Sequence, residues 1–514
     1  MAAATAAAAE PLPARALSRY RPSEPVLFVI FGATGDLSRR KLLPALYDLA
    51  VQGLLPDGFA VVGAAREEMG REEFRALVGR AARERARLQP VDEPVLGDLL
   101  GRVHYLPLDL ADQRDFRRLG CLLEDVERPL GAACRIFYCA TPPAVFSVIV
   151  EHMESARLAG RHGVECGRIV IEKPFGYSLA SARELNALLA RAFGEDRVYR
   201  IDHYLGKETV QNIVAFRFVN SIFEPLWTRQ NVDNVQITVA EQIGIEGRAA
   251  YYERAGALRD MVQNHLLQVL ALVAMEPPVA FDQVALRDEK VKVLRAVAPL
   301  TGEAVDRQTV RAQYEAGSVG DLPVPGYRQE PGVAADSQTE TFVALRLAID
   351  NWRWAGVPFS LRTGKRLARR VSEVRIEFKL PPHVAFGPQA IPDLEPNSIV
   401  LRIQPDEGIA LRFGAKTPDL GMQIGTVDMD FAYGRSFEGT GADAYERLLV
   451  DCMLGDPTYF VRADEVEASW ALIDPIEERW ASGRPVLGGY PAGSRGPGEA
   501  DDLLAGERRR WRGL

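Results

Sequence analysis

Arg200-Ile-Asp202-His203-Tyr204-Leu-Gly206-Lys207-Glu208 sets a carboxylate, an imidazole, a phenol and an ammonium within six residues, 202–207. Surface runs of mixed charge are common, but this run spends one of only six histidines beside Asp and Tyr. Such groups can hold an anion and orient a base. His265 stands in Arg259-Asp260-Met-Val-Gln-Asn264-His265-Leu-Leu-Gln268, a mostly apolar helical pattern. A lone His on such a helix is more often a satisfied core residue than a base. Its company changes that reading: Asp260 precedes it by five residues, and Asp202 is a carboxylate able to orient its ring. A neutral imidazole held by a carboxylate suits proton removal near pH 7.

A second group of motifs points to a nucleotide. The apolar run 26–31 breaks at Gly32-Ala-Thr34-Gly35-Asp36-Leu37-Ser38, and a helical pattern follows over 36–49. Gly32 permits a tight turn, Gly35 a close backbone approach to a pyrophosphate, and the helix N-terminus offers free N–H groups. Ser38 takes the place of a third small residue. The next strand-like run, 59–63, leads into Ala-Ala-Arg66-Glu67. An Arg there suits a 2′-phosphate, as in NADP, whereas Glu67 suits the 2′-hydroxyl of NAD or simply points to solvent. Glu172-Lys173-Pro174-Phe175-Gly176 ends another strand-like run, where a Lys faces the ligand crevice and the Lys–Pro bond is trans or cis.

These motifs need a scaffold. Runs 26–31, 59–63, 102–108, 135–139 and 168–171 read as buried strands with helical stretches such as 71–88 between them, which predicts a parallel, doubly wound sheet. After about residue 200 the rhythm changes. Runs 235–239, 342–349, 374–379, 399–403 and 409–413 alternate in polarity without a helix between each pair. They predict a mainly antiparallel sheet covered by helices such as 262–275 and 442–453. The fold class is α/β plus α+β. The expected division is an N-terminal extension over 1–25, a coenzyme domain over 26–201, a β+α substrate and oligomerisation domain over 202–497, and a C-terminal tail over 498–514.

The chain has 514 residues, too many for one ordinary core, with 47% hydrophobic and 26% charged residues and a formal charge of −8. An acidic chain of this kind argues against nucleic acid as a partner, and an anionic substrate needs a local cluster of cations. Five cysteines without CxxC spacing read as reduced thiols, and no apolar run is long enough to span a membrane. The Ala- and Pro-rich first 25 residues lack the pattern of a secretory signal and read as a disordered extension or a transit peptide. A cytoplasmic location is expected, and no residue pattern demands a metal.

GATGDLSRRKL, EKPFG, RIDHYLGKE, RDMVQNHLLQ, VPFSLRTGKRL, IQPDEG, DAYERLLVD and YPAGSRGP resemble, in order and spacing, the glucose-6-phosphate dehydrogenase family over residues 25–497. The resemblance implies a Rossmann coenzyme domain joined to a larger β+α domain, often paired through its sheet as a homodimer or homotetramer. It implies oxidation of glucose 6-phosphate to the 6-phosphoglucono-lactone with NADP, NAD being an alternative coenzyme. On that resemblance His265 matches the general base and Asp202 the carboxylate orienting it. His203, Tyr204, Lys207 and Arg370 match residues holding the sugar phosphate. Lys173, Glu241, Asp260 and Lys365 match residues holding the hexose, and Gln404 a lesser substrate contact. Gly32, Thr34, Gly35, Asp36 and Leu37 match the coenzyme loop, Arg66 the 2′-phosphate ligand, and Pro142-Pro143 the segment near the nicotinamide. Lys41 and Lys173 lie where both ligands meet. Arg495 departs from the usual Trp of the C-terminal segment, and Arg370 stands where some relatives have Lys. Two rival readings are another Rossmann sugar oxidoreductase that uses an EKP lysine, and a catalytically silent nucleotide-binding protein.

Overall fold

A computed structural model describes residues 20–158, 167–383, 395–418, 422–436, 441–505 and 509–514; residues 1–19 of the expected extension lie outside them. Six parallel strands form the first sheet: β1 Val26–Phe31, β2 Phe59–Ala65, β3 Val103–Pro107, β4 Cys134–Cys139, β5 Gly167–Glu172 and β6 Val198–Ile201. Their order is β3-β2-β1-β4-β5-β6. Every residue of β1, β2 and β4 is buried, which is why these strands read as unbroken apolar runs. The order reverses between β1 and β4, and a crevice opens at the strands' C-terminal ends. β6 is hidden in the sequence by Arg200, a charge inside an apolar run. Arg200 has no exposed surface and pairs with Glu195 at 2.7 Å.

The second sheet is larger. It comprises β7 Val232–Ala240, β8 Thr309–Glu315, β11 Phe342–Ala348, β12 Pro358–Gly364, β13 Val371–Phe378, β14 Ser398–Gln404, β15 Gly408–Lys416, β16 Ile424–Ala432 and β17 Gly488–Pro491. A separate hairpin is made by β9 Gly317–Val319 and β10 Leu322–Val324. The nine strands run β16-β15-β14-β13-β7-β12-β11-β8-β17, and only β7–β12 and β8–β17 are parallel. The sheet is therefore mainly antiparallel. Helix Ala463–Ala481 packs on helix Leu179–Ala192 of the first unit and on Ala285–Ala296 of the second. Its Trp470 is fully buried and donates Nε1–H to Phe175 O at 2.9 Å, anchoring the turn after β5.

Three details differ from the sequence reading. Residues 498–514 include helix Glu499–Ala505, and Trp511 lies beneath the Arg362 guanidinium, its Nε1–H donated to Ala500 O at 2.7 Å. Burying the indole gives this segment a fixed seat. The YPAGSRGP segment also docks despite Arg495, through Ala368 N–H to Ser494 O at 2.8 Å and Gly493 N–H to Arg366 O at 2.7 Å. Cys134 is disulfide-bonded, so the expectation of five reduced thiols is corrected, while Cys121, Cys139 and Cys452 are free.

The helix expected over 262–275 begins as a π-helical run, Leu258–Leu266, and continues as α-helix Leu267–Ala274. π-Turns are rare and concentrate at functional sites. Gly256 starts this one, with φ +61° and ψ 178°, a region open essentially only to glycine. A Cβ there would stand 2.3 Å from Glu340 Oε1. That oxygen accepts the Leu258 N–H at 2.9 Å, and the Glu340 carbonyl accepts the Ala257 N–H at 3.0 Å. Gly256→Ala is therefore expected to cost about 1–3 kcal/mol. The readouts are a lower thermal midpoint and faster amide exchange across 258–266. Unchanged midpoint and exchange would remove Gly256 from this role.

Candidate active site

Strand register starts the site. Glu172 at the end of β5 pairs with Ile201 at the end of β6, so Asp202 emerges beside the EKP turn. Asp202 has no exposed surface and His265 is 1% exposed; Asp202 Oδ1 lies 2.5 Å from His265 Nδ1. The same oxygen accepts the Tyr204 N–H at 2.9 Å, while Oδ2 finds no hydrogen-bond partner among the described residues. Burial opposes the Asp202 charge, but His265, His203 and the Tyr204 N–H outweigh it and hold the carboxyl down at about 2. Burial and the Lys173 ammonium push His265 below its ordinary value, against the pull of Asp202. Asn264 fixes the backbone here, its Oδ1 accepting the His265 N–H at 2.7 Å. The arrangement leaves a neutral ring whose Nδ1–H is spent on Asp202 and whose Nε2 is the basic nitrogen.

Around this pair the structure gathers the other residues of the 200–208 stretch. The Tyr204 ring stacks on His265 at 4.4 Å, and His203 meets it edge-on at 4.6 Å. Lys207 Nζ lies 4.7 Å from the Tyr204 ring centre and donates to Gln404 Oε1. Arg370 reaches that oxygen at 3.4 Å. Burial first, and then the Arg370 charge, bring Lys207 down to about 8, and burial pushes His203 well below its usual range. Two cations and an imidazole share too little negative charge here, and such a cluster favours an anion. Ser372 ties it together: its hydroxyl meets Tyr204 OH at 3.1 Å and accepts from Gln404 Nε2 at 3.0 Å.

A second charge network flanks the imidazole. Lys173 Nζ donates to Asp260 O at 2.7 Å and Oδ1 at 3.0 Å, and Tyr251 OH donates to the same carboxylate at 2.9 Å. Lys365 Nζ pairs with Glu241 Oε2 at 2.7 Å. Burial would raise Asp260, but the charges of Lys173 and Lys365 hold it well below the ordinary carboxylate range. The Lys173–Pro174 and Gln404–Pro405 bonds are both cis. Alternating charges of this kind can exchange their partners for sugar hydroxyls.

The β1/β4 crevice fits a dinucleotide. A Cβ on Gly32 would stand 2.8 Å from Ala140 O, so the two loops approach this closely only around glycine. Ser38 is buried, and its hydroxyl donates to Gly32 O at 2.9 Å, which ties the turn to the helix that follows. Pro142 and Pro143 close the far side, entering helix Phe146–Ser155. Arg66 is exposed just past the end of β2, and Glu67 beside it is also exposed, its carboxylate accepting the Thr34 hydroxyl at 2.7 Å. Asp36 pairs with Arg40 at 2.7 Å, and Leu37 is half-buried at the start of the helix. Lys41 pairs with Asp443 of the second unit at 3.0 Å. The ligand atoms of Asp202, His203 and His265 lie within 4.8 Å of one another, a spacing a metal can bridge, but Oδ1 and Nδ1 are already spent on each other.

Sequence reasoning missed Ser372, Tyr251, Asn264 and Asp443. Ser372 lies two residues past Arg370, and Asn264 adjoins His265; the other two meet the site across 9 and 402 residues, which no local pattern reveals.

Comparison with known proteins agrees with this geometry. Residues 29–212 match the model of the glucose-6-phosphate dehydrogenase NAD binding domain, and residues 214–512 match that of its C-terminal domain. Glucose-6-phosphate 1-dehydrogenase 2 of Mycobacterium tuberculosis is 47% identical over 495 residues, covering 96% of this chain and 95% of that protein. A glucose-6-phosphate dehydrogenase solved with its substrate glucose-6-phosphate superposes with a TM-score of 0.87 at 36% identity, covering 96% of this chain and 99% of its own. The Mycobacterium avium glucose-6-phosphate 1-dehydrogenase gives 0.80 at 38% identity, covering 95% and 99%. With family models matched along nearly its whole length and relatives this similar, the chain belongs to the glucose-6-phosphate dehydrogenase family.

Proposed function

We propose that this chain oxidises D-glucose 6-phosphate to 6-phospho-D-glucono-1,5-lactone, with His265 as the base. The observation that carries the reading is the buried Asp202–His265 pair set between an anion cluster and a dinucleotide crevice. NADP, when bound in that crevice, would supply the acceptor for the hydride that leaves C1. Gly32, Thr34, Gly35, Asp36, Leu37, Lys41, Arg66, Pro142, Pro143 and Lys173 are the residues that would hold it.

The side chains do the rest. Lys207, Arg370, His203 and Tyr204 bind the 6-phosphate, and Gln404 lies between the two cations. Lys173, Asp260, Glu241 and Lys365 take the ring hydroxyls. Binding at the phosphate end fixes C1 against His265 and supplies orientation. His265 Nε2 takes the C1 hydroxyl proton as the C–H bond breaks, and C1=O forms. Asp202 holds the tautomer and stabilises the imidazolium that results. We further infer a homodimer or homotetramer; β16, an edge strand with Val427 40% and Met429 62% exposed, supports self-association. No helix among the described residues is long and apolar enough to cross a membrane.

His265→Asn should bind glucose 6-phosphate almost unchanged while kcat falls roughly 10²-fold or more. Asp202→Asn should lower kcat less. An unchanged kcat in His265→Asn would remove it as the base.

Lys207→Ala and Arg370→Ala should act mainly on KM, because each loses a charge-assisted contact. Free glucose should be a very poor substrate. Comparable kcat/KM for glucose and its 6-phosphate would contradict the phosphate site.

Coenzyme choice rests on two neighbours of opposite charge. A planar guanidinium pairs well with a 2′-phosphate, so NADP should be preferred, with measurable NAD activity. Arg66→Ala should lower the NADP/NAD ratio of kcat/KM, and Glu67→Gln should raise it by removing a carboxylate that Thr34 holds in the turn. A ratio indifferent to both changes would place coenzyme selection elsewhere.

A further inference from the structure

Glu172 precedes the EKP lysine and is absent from the roles drawn so far. Four elements converge on it. Tyr138 of β4 donates its hydroxyl to Glu172 Oε1 at 2.5 Å. Tyr445, in the first turn of helix Ala444–Leu454, lies near the same carboxyl from the second unit and favours its ionised form. Lys173 follows it just past the end of β5, and Asp202 follows Ile201, its partner on β6. Asp443, which pairs with Lys41, caps the helix that carries Tyr445. The carboxyl thus lies between the β-sheet of one unit and the helix of the other, beside both the hexose-facing lysine and the carboxylate that orients the base. Acidic groups are rarely placed among phenols and apolar strands unless they carry a structural or electrostatic load.

We propose that Glu172 is a positioning residue for the dehydrogenation, acting through Lys173 and the Asp202–His265 pair. In its ionised form it adds negative charge near the Lys173 ammonium that Asp260 holds, and as a second negative charge near Asp202 it raises the basicity of His265. In its neutral form both effects are lost. This role rests on the reading of His265 as the base of glucose 6-phosphate oxidation.

The groups facing the carboxyl decide when it switches. Dense protein around it, although the residue is only half-buried, brings Glu172 up to about 7. The Tyr138 and Tyr445 hydroxyls and the Lys173 charge favour the ionised form, and Asp202 opposes it. Cys452 beside Tyr138 is itself pushed up to about 12 by burial and stays neutral. Activity should therefore rise as pH passes through about 7, above the step due to His265, which lies below its ordinary value.

The test is the pH dependence of kcat and kcat/KM with glucose 6-phosphate and NADP in the full chain. Glu172→Gln should lower kcat about tenfold at pH 8, the scale of a one-unit change in the basicity of a neighbouring group. Near pH 6 it should approach the wild type, because its side chain mimics the neutral form. Tyr138→Phe and Tyr445→Phe each remove a hydroxyl that favours the ionised carboxyl, so each should move the step near 7 to higher pH. A Glu172→Gln profile parallel to wild type, or phenylalanine variants with an unmoved step, would overturn the proposal and leave a packing role. Wild-type turnover of glucose 6-phosphate in the same assay separates the two readings: without it the function itself falls, and this inference with it.

Discussion

A carboxylate with no exposed surface costs several kcal/mol unless charges and hydrogen bonds around it compensate. Asp202 is such a group, and His265 Nδ1 is its main compensation. The pair must be assembled from two distant parts of the chain: a strand end of the first sheet and a π-helical turn of the second unit. Trp470 on the turn after β5 and Lys41 on Asp443 clamp that junction, and Glu340 holds the first turn of the π-helix within the second unit. Loosening the junction would strand a buried charge, so the relative placement of the two units and the tautomer of the base are secured by the same energy.

Around this centre charge is arranged by deficit. The chain as a whole is acidic, with a formal charge of −8, yet Lys207, Arg370 and His203 sit together with an amide oxygen between the two cations. Burial brings Lys207 down to about 8, so an arriving anion relieves a cost the free protein already carries. The side proposed to hold the hexose is built the other way. Lys173–Asp260 and Lys365–Glu241 are paired in advance, and polar groups of a sugar can take over bonds already directed inward.

Much of this was legible in the sequence, and the reasons differ by residue. The unbroken apolar runs of β1, β2 and β4 follow from burial on both faces, and Gly32 from a turn that leaves no room for a Cβ. Asp202 and His265 could be paired because carboxylates and imidazoles are scarce inside a protein. β6 was not legible, because a buried Arg200 breaks its pattern, and neither was the π-turn, because its periodicity over 258–266 imitates an ordinary helix. Glu67 was read with solvent as one outcome, and it is exposed, with a bond to Thr34 across 33 residues that no local pattern shows. Ser372, Asp443 and the Trp511 seat are products of tertiary contact, where neighbours in space share no neighbourhood in sequence.

The proposed base is a neutral imidazole whose Nδ1–H is bound to Asp202, leaving Nε2 to take the proton. Nitrogen-15 NMR of the histidine rings in the ligand-free protein at pH 7, assigned with a chain lacking His265, reads this state directly. The account predicts that His265 carries its proton on Nδ1, with an unprotonated Nε2. An imidazolium at pH 7, or the proton on Nε2, would contradict it.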